Sequence, residues 1–102
     1  MEAISKVQVL DLMNNINREG MDNSHWNINA HISDTSAEKF YGADGADEIL
    51  KPGIYCAIWF DEDDFSDFPS LNKWIDKSLT EENIAILDNG KGWIVLICLE
   101  LF

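Results

Sequence analysis

The apolar positions near the start of the chain recur at helical spacing. Val9, Leu12, Met13 and Ile16 fall at i, i+3, i+4 and i+7, which sets them on one stripe of an α-helix. Ser5 and Gln8 precede that stripe at the spacing where each side chain satisfies an orphan amide at a helix start. Gly20 closes the element, because glycine enters the left-handed conformation that ends many helices. The period then changes to two. Trp26, Ile28, Ala30 and Ile32 alternate with His25, Asn27, Asn29 and His31, which predicts a strand with one buried and one wet face.

Between Asp34 and Pro52 neither period is sustained. Phe40 and Tyr41 read as anchors under a loop, and Ala46 to Leu50 as one helical turn before Lys51-Pro52-Gly53. Ile54 to Phe60 is continuously apolar, with β-branched and aromatic residues, as expected of a central strand covered on both faces. Pro69 and Ser70 open a second helix whose Leu71, Trp74, Ile75 and Leu79 share a face. Two further apolar runs, Ile84 to Leu87 and Trp93 to Leu101, flank Asn89-Gly90, and Asn-Gly between such runs signals a hairpin. A rival reading continues the second helix through Leu87, against the preference of Thr80 for a cap over a helix interior. The expected fold is a single α+β domain over residues 1–102, ordered helix, strand, strand, helix, strand, strand. Its four strands are mainly antiparallel, and both helices pack on the sheet.

Composition adds one strong feature. The 102 residues are 46% hydrophobic, with four Trp, five Phe and two Tyr, so a core can form and intrinsic disorder is disfavoured. Seven Lys plus Arg stand against 19 Asp plus Glu, a net charge of −12. That imbalance repels a phosphate backbone and an anionic lipid surface alike, and it argues against direct nucleic-acid or membrane binding. Met1 to Lys6 lack the charged and apolar regions of a secretory signal, and the run Trp93 to Leu99 is too short to span a bilayer. A cytoplasmic location is expected. Cys56 and Cys98 sit in strand-like segments and read as buried thiols, with a cross-strand disulfide as the alternative.

The acidity peaks in Asp61-Glu62-Asp63-Asp64-Phe65-Ser66-Asp67, directly after the central strand. An EF-hand calcium loop counted from Asp61 fails, since Phe65 falls where a ligand oxygen is required and Ser66 where the turn needs glycine. A looser divalent-cation site, or a solvated loop favouring the following helix N-terminus, are the alternatives to a partner-facing surface. Crowded carboxylates beside aromatic anchors suit a complementary basic protein and steer its approach. The expected partner-binding residues are Asp61, Glu62, Asp63, Asp64 and Asp67, with Phe65 and Trp59 as anchors and Phe68 nearby. His25 and His31 are six residues apart on one face of the first strand, about 20 Å, too far to share a metal. They read as exposed strand histidines, without a nucleophile or base supplied by any motif. The asparagines Asn14, Asn15, Asn17, Asn23, Asn27 and Asn29 carry amides that can imitate or recognise base edges but are equally ordinary cap, turn and surface residues, and Gly90-Lys91-Gly92 is a turn without phosphate-loop spacing. No catalytic residue, cofactor or metal ligand is expected.

Gly20-Met21-Asp22-Asn23-Ser24-His25-Trp26 follows an amphipathic helix and precedes a polar strand, and Asn89-Gly90 turns into an apolar last strand. In both stretches the chain resembles small bacterial immunity proteins, those of tRNA-cleaving colicins in particular. The resemblance covers about half of the chain and leaves the segment from Gly42 to Asp67 unexplained. It implies a cognate inhibitor that fills the RNA-binding cleft of a basic toxin nuclease domain. A phage-encoded nucleic-acid mimic acting on a CRISPR or restriction enzyme needs the same surface. A small metal-binding or enzymatic domain would need the histidines and the acidic run to converge, and an adaptor would use the charge for solubility alone.

Overall fold

The computed structural model describes residues 1–33, 39–41, 47–61, 67–88 and 92–102; for 39–41, 47–49 and Asp88 it describes the backbone alone. Helix α1, Lys6–Glu19, starts on the expected capping box: Gln8 donates its amide to the Ser5 hydroxyl at 3.2 Å, and Ser5 donates its own to Gln8 Oε1 at 2.8 Å. Gly20 ends it at φ 63°, the left-handed conformation. Leu12 and Ile16 are fully buried on the inner stripe, whereas Val7 and Leu10 are exposed. Helix α2, Pro69–Ser78, buries Leu71 and Ile75, and Leu79 continues the same face.

Four strands form one antiparallel sheet: β1 (Trp26–Ile32), β4 (Gly53–Phe60), β5 (Ile84–Asp88) and β6 (Trp93–Leu101), in the spatial order β1-β4-β6-β5. The expected α+β architecture and element order are therefore observed. Pairing of Ile84–Asp88 with β6 removes the rival reading of a longer second helix. The segment that resisted reading adds a small antiparallel hairpin, β2 (Lys39–Tyr41) with β3 (Asp47–Ile49). The helical turn expected from Ala46 to Leu50 is thus a strand over Asp47–Ile49, because pairing with β2 satisfies backbone groups that a lone helical turn leaves open. Phe40 and Tyr41 lie on β2, and their expected anchoring falls outside the described side chains.

As its unbroken apolar pattern requires, β4 is central and covered on both sides. Cys56, Ile58 and Phe60 point to the helices and pack with Leu12, Ile16, Leu71, Ile75, Val95 and Ile97. Tyr55 and Ala57 point the other way, toward Leu50, Ala85, Leu87, Leu96 and Cys98. Full burial of one such Leu or Ile is worth about 1.5–3 kcal/mol. Cys56 and Cys98 therefore lie on opposite faces, both free and buried, and the disulfide alternative is removed. Burial pushes the Cys56 thiol up to about 12 and the Tyr55 hydroxyl also to about 12, while the Cys98 thiol is raised by burial as well.

Both neighbours of β4 carry one extra residue. In β1 the pairing shifts between Asn27 and Ala30, and across β4–β6 between the Tyr55–Cys98 and Ile54–Glu100 pairs. An extra residue moves every following side chain to the other face. Trp26 and Ile28 thus pack on the helix side, but Ala30 and Ile32 join the opposite cluster. The expected single buried face of β1 is corrected accordingly. The alternation of exposure holds, and the face changes at the bulge.

Candidate functional site

The left-handed Gly20 turns the chain out of α1 into a short polar turn ahead of β1. Asp22 organises that turn as an Asx turn: its Oδ1 accepts the Ser24 amide at 2.6 Å and the Ser24 hydroxyl at 2.5 Å. The His25 amide donates to the Asp22 carbonyl at 3.1 Å, and the Trp26 indole to the Met21 carbonyl at 3.3 Å. Trp59 of β4 donates its amide to the His25 carbonyl at 2.9 Å, extending the β1–β4 ladder by one bond. His25 is thereby held beside the end of β4, where Asp61 follows.

A second connection ends at the same place. The Asp61 amide donates to Asp67 Oδ2 at 3.1 Å, and Asn72 Nδ2 of α2 donates to the Asp67 carbonyl at 2.8 Å. Phe68, the residue before α2, adopts φ 54° and ψ 59°, a left-handed conformation that costs a non-glycine residue about 1–2 kcal/mol. Its ring packs edge-on against Phe60 at 5.9 Å and against His25 at 5.5 Å, contacts that offset the strain. Phe68 provides no side-chain cap for α2; Glu19, at the end of α1, does so instead. Its Oε1 accepts the amides of Ser70 at 2.7 Å and Leu71 at 3.2 Å, placing a carboxylate on the positive end of α2.

The His25 ring lies between two carboxylates. Nε2 is 2.9 Å from Asp61 Oδ2, and Nδ1 is 3.2 Å from Ser24 Oγ and 3.8 Å from Asp22 Oδ1. The hydrogen bond to Asp61 raises the His25 pKa above its ordinary value, with the charges of Asp61, Asp22 and Asp67 adding to it against desolvation. Asp22 is held below the usual carboxylate range, first by its hydrogen bonds from Ser24 and then by His25. The side chains of Asp22 and Asp61 are each 74% exposed, so both present charge to solvent.

Ser24, His25 and Asp61 follow one another as a hydrogen-bonded Ser-His-Asp chain. A nucleophile activated by an imidazole base gives its hydroxyl proton to the ring, whereas here the Ser24 hydroxyl donates to Asp22. In this structure the ring bridges two carboxylates, one at each nitrogen. Metal chelation is not set up either, since the two carboxylates address opposite ring nitrogens. Among the described residues no group of three His, Cys, Asp or Glu converges on a common point.

Of the seven expected partner-binding residues, Asp61 and Asp67 are brought together. Trp59 is half-buried in the cluster on the sheet face away from the helices. Glu62, Asp63, Asp64 and Phe65 lie outside the described residues. His25 and His31 do not share a face: the bulge between them changes the phase, and His31 stands opposite Ile54, near Asn29 and Phe102. Asp22, Ser24 and His25 were missing from the expected site, although an Asp two residues before a Ser is a legible turn signal. Among the described residues no helix is long and apolar enough to cross a membrane. No family model, curated protein or solved structure matches the chain.

Proposed function

We propose that this protein is a non-enzymatic inhibitor of the immunity type, which binds and blocks the basic nuclease domain of a bacterial toxin. The observation that carries the reading is an excess of carboxylates that, among the described residues, no Lys or Arg pairs with; the ion pairs there are those of His25 and of the Met1 ammonium. Carboxylates number 19 against 7 Lys plus Arg, and among the described residues no Lys or Arg nitrogen lies within 4.0 Å of a carboxylate oxygen. Such an excess of charge repels itself, and a cationic partner relieves that repulsion. Inhibition proceeds by occlusion: the carboxylates from Asp61 to Asp67 take the places of substrate phosphates, and flanking aromatic residues contribute affinity once dehydrated. The likeness of the 20–26 stretch and the last hairpin to colicin immunity proteins supports the same reading.

The test is capture of binding proteins on the tagged chain at low and high salt, followed by association kinetics with the captured partner. A single basic nuclease retained at equal stoichiometry is expected. Replacing Asp61, Glu62 and Asp63 by the matching amides is expected to slow association and flatten its dependence on salt. Unchanged kinetics would remove this surface from the interface, and capture of a multi-subunit defence complex would replace the toxin as target.

A further inference from the structure

The hydrogen bonds around His25 constrain its protons whether or not a partner is bound. Asp61 Oδ2 is a carboxylate oxygen, so the nitrogen 2.9 Å from it, Nε2, carries a proton. On the other side the Ser24 hydroxyl gives its only hydrogen to Asp22 and offers His25 a lone pair. Nδ1 must then carry a proton as well, for two lone pairs would otherwise face each other at 3.2 Å. A ring that donates from both nitrogens is an imidazolium.

We propose that His25 is a proton-operated clasp, which in its doubly protonated form bridges Asp61 at the end of β4 to Asp22 in the turn, and on losing one proton keeps Asp61 but releases Asp22. The release has a defined route. A neutral ring keeps Nε2–H on Asp61, and its bare Nδ1 becomes an acceptor. The Ser24 hydroxyl then turns from Asp22 to His25, while the Ser24 amide still holds Asp22. One proton leaves to solvent and one hydrogen bond changes partner, so the step balances without a co-reactant.

Among the described residues three carboxylates face the ring: Asp22 from the turn, Asp61 from the end of β4 and Asp67 from the entry to α2. Phe68 supplies an apolar edge from the same entry. All three charges favour the protonated ring, and the raised pKa of His25 agrees in direction. The closed clasp therefore prevails below that raised value and opens as pH rises through it. At the acid end, Asp22 loses its charge only below the usual carboxylate range, because its pKa is lowered.

Heteronuclear NMR across this pH range tests the device on the intact chain. The His25 ring is expected to titrate above an unstructured histidine, and the amide signals of Ser24 and Asp61 to shift with the same midpoint. Asp61→Asn is expected to lower that midpoint. His25→Gln is expected to abolish the step at both amides while circular dichroism stays native, and Asp22→Asn gives a second reading of the midpoint should either variant fail to fold. Amide signals that ignore the His25 midpoint, or a step that survives His25→Gln, would overturn the clasp.

Discussion

The two helices begin in different ways. Within three residues of its own start, α1 satisfies its first amides through Ser5 and Gln8. At α2 the first amides meet Glu19, 51 residues away in sequence, behind a strained Phe68. The first start is a local event that any chain with this spacing reproduces. The second exists only when α1 and α2 are docked, so it reports on the tertiary fold. It also joins α2 to the Asp61–Asp67 connection, because Asp67 and Phe68 lead directly into the helix.

The largest expected effect separates the two starts by burial. Leu71 lies in the first turn of α2 and is fully buried, so Leu71→Ala should cost about 2–5 kcal/mol in urea unfolding. Val7, in the first turn of α1, is 68% exposed, and Val7→Ala should stay within about 0.5 kcal/mol. Equal losses would break the comparison. Next in size, Glu19→Ala should cost about 1–2 kcal/mol, and salt should weaken the contribution it removes, because a charge meets a helix dipole there. Ser5→Ala should cost about 1 kcal/mol with little dependence on salt.

A smaller effect concerns pH. The raised His25 pKa means that its contribution to stability is present below the ordinary histidine value and is lost as pH rises through the raised one. Thermal melts of the parent chain and His25→Gln should therefore differ most near pH 6 and draw closer in alkali. The Ser5–Gln8 box carries no titrating group, so the melting shift caused by Ser5→Ala should not vary over the same range. Smallest of all, a synthetic peptide of residues 4–21 should show weak helical circular dichroism at low temperature, and one of residues 67–80 none.

Legibility in the sequence followed the same division. The Ser5–Gln8 box, the Gly20 stop, the two-faced apolar strand Ile54 to Phe60 and the strands around Asn89-Gly90 were all readable, because each depends on neighbours in the chain. The turn residues 89–91 themselves lie outside the described residues. The extra residue in β1 was not readable, since Trp26, Ile28, Ala30 and Ile32 keep an unbroken period of two across it. Glu19 carried no cap signal, because its partners belong to another helix. At the site, composition pointed to Asp61 and Asp67 but not to His25, whose partner is 36 residues distant. The short hairpin of β2 and β3 has too few residues in each strand to display a period.

The bulges beside β4 have a consequence for how the sheet finds its pairing. A strand that is apolar on both faces has no polar stripe to penalise a slip by one residue, and mispaired sheets are a route to kinetic traps and aggregation. In this chain the penalty comes from the backbone. Each neighbour accommodates its extra residue opposite one part of β4, and Gly53 leaves room for the Glu100 carbonyl where any Cβ would collide. Slippage would strand both extra residues against regular pairs and drive a side chain into that carbonyl. Deleting Leu99 or replacing Gly53 by Ala should thus reveal itself first in refolding yield, as aggregated chain recovered on dilution from urea.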